Sequence, residues 1–563
     1  VTGTSDGVVS GHTFQGVGVG RGLVVGPVAK AFPSPVLPPG GGGDPDDLDA
    51  AFERVATTLQ SRSDEAEGAL RDVLAATAQM ARDAALRTGA AQRVAAGESP
   101  AEAVDRAVAQ FVDLFTAAGG MLAERVTDLR SVRDRVVAEL LGLDEPGVPA
   151  LAVPSVVVAA DLAPADTAAL DVTKVLAIVT QHGGPTGHTA IIAGQLGIPC
   201  VVRASGVMAV ETGREVAVDA AAGTVVVDPE PRVRELARAR QDAARRLEAD
   251  TAPGATKDGH EVKLLANIGT VADAERAAAS PVEGVGLFRT EVLYLESATA
   301  PTLEEQTRVY AAVLGAFAGG KVVVRTLDAG ADKPLAFATQ PDEENPALGV
   351  RGYRLVRRVP ELLRTQLEAL AAAAAQTGTD PWVMAPMIAT VQETADFVAM
   401  AREAGLRGPV GVMIEVPAAA LRARDVLEVA DFVSLGTNDL AQYTMATDRL
   451  RGTLVDLLDP WQPAVLELVA TTARAAGEAG RSAGVCGESA SDPLMALVLT
   501  GLGVTSLSMS LGSLPAVRYT LRAHTLEQCR AAAAAALGAR TAAEGRAEVR
   551  ALADPEVVAE LAL

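Results

Sequence analysis

From Asp46 to Gly142 apolar residues return every three or four positions, and after Val148 the rhythm changes to short β-branched runs. The first region carries four sets at helical spacing: Leu48, Phe52, Val55, Leu59; Leu70, Val73, Leu74, Thr77; Val104, Val108, Phe111, Phe115; and Leu122, Val126, Leu129, Val136, Leu140. Four helices packed as a bundle are predicted. Ser99, Pro100 and Glu102 form a capping box with proline at the first helical position, which places the start of the third helix there. Ahead of the bundle, PSPVLPPGGGGDPDD (33–47) is a turn-rich connection, because consecutive Pro and Gly continue neither helix nor ladder.

Beyond Val148 the runs SVVVA, KVLAIVT, CVVR, EVAVDA and TVVVD end at Asp228 and predict a small α/β domain. Pro229 to Asp250 alternates acidic and basic residues and reads as a solvated linker helix. From about Gly259 eight apolar strings follow, VKLLANI, GVGLF, KVVVRTL, WVMAPMI, VGVMIEV, FVSLGTN, SAGVCGE and TSLSMS, mostly separated by helical stretches. That is the rhythm of a (β/α)8 barrel of the TIM type.

Composition narrows the functions open to these parts. The 71 acidic against 49 basic residues give a formal charge of -22, which repels nucleic acid and anionic membranes, so an anionic substrate needs a local arginine cluster. Val175 to Val202 and Pro493 to Val517 lack charge over lengths that could cross a bilayer, yet both are broken by Gly, Pro, Ser and Thr. The second reads as a short helix, a GlyLeuGly break and the strand TSLSMS. Neither is expected to insert into a membrane. Cys200, Cys486 and Cys529 form no CxxC pair, and the first residues lack the pattern of a signal peptide; a reducing cytoplasm is expected.

Barrel enzymes build their sites from the C-terminal ends of the strands. Here the strings end at Arg289 and Glu291, Arg325 and Asp328, Glu415, Asn438 and Asp439, and Cys486 and Glu488. Two guanidiniums can fork onto phosphate oxygens, and the carboxylates of Glu415 and Asp439 suit a magnesium ion. In GGPTGHTAIIAGQLGIP, His188 follows a Gly-rich turn and opens an apolar helix, so backbone N–H groups and the positive helix end would stabilise a phosphorylated imidazole.

These two signals together resemble the phosphoenolpyruvate-protein phosphotransferases, or Enzyme I of the bacterial sugar phosphotransferase system. GGPTGHTAIIA is similar to that family's swivelling phosphohistidine loop. GVGLFRTE, VVRTLDAGADKP, ENPALGVRGYR, APMIATVQE, GVMIEVPAA, SLGTNDLAQYTMATDR and VCGES are similar, in the same order, to its phosphoenolpyruvate-binding barrel. The resemblance implies a multidomain α/β protein, with a helical bundle inserted in a swivelling phosphohistidine domain and a (β/α)8 barrel after it. On this reading 1–45 hold the first strands and linker, 46–142 the docking bundle for the small phosphocarrier protein HPr, and 143–228 the phosphohistidine domain. The linker helix takes 229–255, the barrel with its dimerisation surface 256–545, and a terminal helix 546–563. DLRSVRDRV is the most recognisable segment of the bundle.

The resemblance makes His188 the nucleophile that takes the phosphoryl group from phosphoenolpyruvate, with Thr167 a contact to the phosphohistidine. It gives Arg289, Arg325 and Arg449 to the substrate phosphate, Asn438 to substrate, and Glu415 and Asp439 to Mg2+. Cys486 becomes the acid that protonates enolpyruvate to pyruvate, and Lys333 and Arg351 are further binding residues. HPr would receive the phosphoryl group as the first step of sugar uptake, and a homodimer is implied. Gly187 stands where the family usually has Ser, and GlyArgGly (20–22) where it has SerProGly, which predicts altered loop contacts. Three rival readings are a pyruvate phosphate dikinase, which needs an ATP-binding domain, a regulatory scaffold, and a magnesium-dependent barrel lyase that would leave His188 idle.

Overall fold

The computed structural model describes residues 11–20, 22–32, 34–65, 69–118, 125–149, 151–162, 166, 170–184, 188–295, 299–330, 335, 337–338, 343–448 and 452–563. The chain divides into two compact units, Val1–Asp242 and Ala243–Leu563.

The first unit is built on an 8-stranded sheet in the order β1-β8-β7-β3-β4-β5-β6-β2. Its strands are β1 (Thr13–Gln15), β2 (Val17–Val19), β3 (Leu23–Lys30), β4 (Ser155–Ala159), β5 (Val175–Thr180), β6 (Cys200–Val202), β7 (Glu215–Asp219) and β8 (Thr224–Val227). β3 to β6 run parallel, and the flanking pairs are antiparallel. All five residues of β4 are buried, which explains its unbroken SVVVA. Val156 and Val158 pack on one face with Ala177 and Val179. Val157 and Ala159 pack on the other against Ala190 and Ala193 of the His188–Leu196 helix. That helix is the crossover between parallel β5 and β6, so the Gly-rich turn lies at the C-terminal end of β5.

The bundle contains five helices among the described residues, one more than its periodicity predicts: α1 (Leu48–Glu65), α2 (Ala69–Ala81), α3 (Ala84–Ala95), α4 (Pro100–Ala118) and a fifth over Val126–Leu141. The additional element is α3, which buries Leu86 and Ala90 and shows almost no apolar stripe. Its signal is instead the cap, where the Asp83 carboxylate accepts the backbone N–H groups of Ala85 and Leu86. Half of the expected Ser99 capping box forms, with the Glu102 N–H donating to the serine hydroxyl and that hydroxyl donating to the Glu102 carboxylate, but it opens the fourth helix, not the third. In DLRSVRDRV the buried Arg135 donates to Glu145 and to Asp166, tying the bundle to the α/β part of its own unit.

The second unit is a closed, all-parallel barrel, in which β9 (Lys263–Ile268), β10 (Gly284–Arg289), β11 (Lys321–Arg325), β12 (Trp382–Ala385), β13 (Val410–Ile414), β14 (Phe432–Leu435), β15 (Ser482–Val485) and β16 (Ser506–Met509) pair in chain order. Each strand falls on one of the eight apolar strings. Leu287, Val323, Met384, Met413, Phe432 and Cys486 form a cluster of their own, separate from the larger one that includes Val322, Val324, Val383 and Val412. The uncharged stretch at 493–517 is a helix, Pro493–Gly501, followed by β16 and the start of the next helix. Among the described residues no helix is long and apolar enough to cross a membrane.

Candidate active site

The polar residues at the C-terminal ends of the barrel strands form one buried electrostatic chain. Arg325, the last residue of β11, pairs with Glu291 just beyond β10 and with Asp328 at 3.1 Å. Asp328 also receives Nε and Nη2 of Arg351, at 3.1 and 3.2 Å, and Nη1 of Arg351 lies 3.0 Å from Asp439. Arg351 is 0% exposed. Burial opposes the charge on Arg325, and the carboxylates of Glu291, Asp328 and Glu415 overcome it, so that its acidity is weakened further. Two cations are thereby held at fixed places in a region that desolvates them.

Glu415 follows β13 and is fully buried. Its Oε1 accepts the Met387 N–H at 2.5 Å, and its Oε2 has no hydrogen-bond partner. Met387 adopts φ +58°, a left-handed conformation that costs a residue with a side chain roughly 1 kcal/mol or more. Burial, together with the charges of Asp439 and Asp328, pushes the Glu415 carboxyl up to about 8 against the pull of Arg325 and Arg351. Gly436 leaves room beside it, since a Cβ there would stand 2.9 Å from Oε2. A buried carboxyl with an orphaned oxygen thus faces a second carboxylate. Among the described residues no group of three or more His, Cys, Asp or Glu side chains gathers to hold a metal. Two carboxylates nevertheless fit a hard divalent ion that fills its remaining positions with water and phosphate oxygens.

Cys486 follows β15 and is 2% exposed. Its Sγ accepts the Ser434 hydroxyl at 3.2 Å and donates toward the Leu435 carbonyl at 3.6 Å. Burial raises the thiol above its ordinary value, outweighing Ser434, Arg325 and Arg289. It is therefore a protonated thiol at neutral pH. Asn438 reaches across to the next loop, where its Oδ1 accepts the Glu488 N–H at 3.0 Å. Gly487 permits this approach, because a Cβ there would lie 2.0 Å from the Thr437 hydroxyl.

The structure thus brings Arg325, Arg351, Glu415, Asp439 and Cys486 together at one mouth, with exposed Arg289 at the end of β10 close enough to act on Cys486. Thr167, Lys333 and Arg449 lie outside the described residues. His188 opens its helix as expected, while its side chain lies outside the described part. The turn before it is secured where it is described: Arg203 donates to the Gly183 carbonyl at 3.0 Å and Thr180 to the His182 carbonyl at 2.7 Å. Ser434 and Asn267 escaped the sequence reading, since a serine or asparagine inside an apolar strand looks like filler. So did Gln366, whose amide donates to Thr290 and Tyr310 while its oxygen accepts the Leu327 N–H, bracing the ends of β10 and β11.

Comparison with known proteins places the chain in one family. Residues 243–526 match the family described as PEP-utilising enzyme, PEP-binding domain, 151–223 its mobile domain, and 15–125 its N-terminal domain. A phosphoenolpyruvate-protein phosphotransferase of Streptomyces coelicolor is 50% identical over 96% of this chain and 99% of its own length. One from Haloferax volcanii is 40% identical over 89% of each chain. A solution structure titled Enzyme I aligns with 41% of this chain and 99% of its own at 26% identity, with a TM-score of 0.36.

Proposed function

The chain belongs to the phosphoenolpyruvate-protein phosphotransferases, and from that premise we propose that His188 carries the phosphoryl group from phosphoenolpyruvate to the histidine of HPr, opening a sugar phosphotransferase system. Phosphoenolpyruvate-dependent phosphotransfer follows from membership; the residues, the metal and the acceptor are our reading. The observation that carries it is the buried chain Glu291, Arg325, Asp328, Arg351, Asp439 beside the orphaned oxygen of Glu415. Two fixed cations and two facing carboxylates match the needs of a phosphorylated carboxylic acid bound with metal.

In this mechanism Arg289, Arg325 and Arg449 hold the phosphate, and Asn438, Lys333 and Arg351 complete the substrate site. Mg2+ on Glu415 and Asp439 would neutralise charge on the transferring group. Unprotonated His188 attacks phosphorus in line, enolpyruvate departs, and the Cys486 thiol protonates its methylene carbon to give pyruvate. Thr167 steadies the phosphohistidine. The same imidazole then meets HPr docked on the bundle at 46–142, so the 143–228 domain must visit two stations, with 229–255 as its arm. The barrel, 256–545, would also form the homodimer, and the cytoplasm is the expected setting.

The test is incubation of the intact chain with labelled phosphoenolpyruvate and magnesium, without ATP. Acid-labile label should appear on wild type, be absent from His188→Ala, and pass to added HPr. Label that persists in His188→Ala, or that HPr does not remove, would overturn the assignment of nucleophile or acceptor respectively.

A further inference from the structure

We propose that Ser434, on β14, is a positioning residue for the protonation step, holding the Cys486 sulfur and stabilising the thiolate left behind when the thiol gives up its proton. The inference rests on Cys486 being the acid. Its ground is the geometry around the sulfur. The backbone at Cys486 is fixed independently, because Asn267 of β9 donates to the Cys486 carbonyl at 3.2 Å and to the Ser508 carbonyl at 3.3 Å, while Ser508 donates to Asn267 at 2.6 Å. The Cys486 N–H is itself bound to the Leu435 carbonyl at 3.1 Å. What orients the side chain is the pair already described, with the Ser434 hydroxyl donating to Sγ and the thiol pointing at Leu435.

The direction of the first bond matters. The thiol can surrender its proton and keep the Ser434 bond, and that bond strengthens as negative charge gathers on sulfur, since hydrogen bonds to charged groups are about twice as strong as neutral ones. The interaction is thus greater in the transition state than in the ground state, the condition for accelerating a step. Burial resists the thiolate, and the Ser434 hydrogen bond is the largest influence opposing that resistance, ahead of Arg325. In the step itself, the S–H bond breaks and a C–H bond forms at the methylene carbon of enolpyruvate. The enolate oxygen left by phosphoryl transfer becomes the ketone of pyruvate, sulfur retains the electron pair, and solvent later restores the thiol proton.

Because phosphoryl transfer to His188 precedes protonation, the two can be read separately in one turnover of the full chain with magnesium and labelled phosphoenolpyruvate. Rapid quench gives phosphohistidine, and proton NMR in D2O distinguishes enolpyruvate from pyruvate. Ser434→Ala should form phosphohistidine within about twofold of wild type but convert enolpyruvate to pyruvate about 10- to 100-fold more slowly, the range of a hydrogen bond to a charged group. Ser434→Thr, which restores the hydroxyl, should recover the conversion. Cys486→Ala should release enolpyruvate more completely still. If Cys486→Ala releases enolpyruvate and Ser434→Ala does not, the role of Ser434 is overturned and the acid stands. Pyruvate appearing in step with phosphohistidine in Cys486→Ala would overturn both. Equal loss of both products in Ser434→Ala would make its role structural and overturn the inference.

Discussion

The two ends of the barrel are both rich in charge, and they use it in opposite ways. At the N-terminal end the charged heads bind backbone. Glu283 accepts the N–H groups of Gly254 and Leu264, each at 2.9 Å, and the Arg518 guanidinium donates to the carbonyls of Asp250 and Pro281. Asp431 accepts the Val410 N–H at 3.0 Å and pairs with Arg402 and Arg481 near the surface. At the C-terminal end the charges face one another in a dry interior, and buried atoms of Glu291, Arg325 and Glu415 find no partner. One end fastens the backbone where strands begin, although Arg518 Nε is unpartnered there; the other sets three such atoms among facing charges, where a ligand can complete them.

That contrast is sharpest at Glu415. Glu415→Gln keeps the acceptor for Met387 and spares the fold a buried carboxyl that is ionised when unfolded and must take up a proton or hold its charge against burial when folded, so the variant is expected to melt higher than wild type while losing about 10²- to 10³-fold or more in phosphohistidine formation. Scanning calorimetry and the labelling assay check the two halves; a lower melting temperature would break the comparison. Next in size, Arg518→Met leaves two half-buried carbonyls without their donor and should cost about 1–3 kcal/mol of stability, with turnover of the folded protein unchanged. A large fall in turnover would show that the base also serves catalysis.

The smallest effect is a pH slope at Lys321, which stands over the Trp382 ring at 4.1 Å at the N-terminal end. Burial, and then the charge of Lys263, brings its amine down to about 8. An unfolded chain holds that proton up to about 10.4, so between about 8 and 10.4 the unfolded state binds more protons and stability rises with pH. The penalty is fully present below about 8. Lys321→Met should therefore be more stable than wild type at pH 7, by roughly 1 kcal/mol, and the advantage should fade toward pH 10.4, as denaturation midpoints across that range would register.

Much of this was legible because the physics is local. Every barrel strand sits on an apolar string, five of which run into the polar residues of the site, and His188 sits where a Gly-rich turn meets an apolar helix, so periodicity and punctuation locate both. The α3 helix was not legible, since alanine-rich packing of Leu86 and Ala90 leaves no stripe to count. Nor were the partnerships. Arg351 lies 26 residues beyond Arg325 in sequence, and only the fold shows that Asp328 joins the two. Met387 bonding Glu415, and Ser434 bonding Cys486, are likewise meetings of different strands, which no single stretch of sequence encodes.

If the proposed site is right, the barrel mouth pairs two carboxylates for a metal with arginines for a phosphate. Calorimetric titration of phosphoenolpyruvate into the intact chain, with and without magnesium, tests it most directly when repeated on Glu415→Gln and Asp439→Asn. Magnesium should strengthen binding in wild type and leave it unchanged in either variant. Magnesium strengthening the binding equally in all three proteins would contradict it.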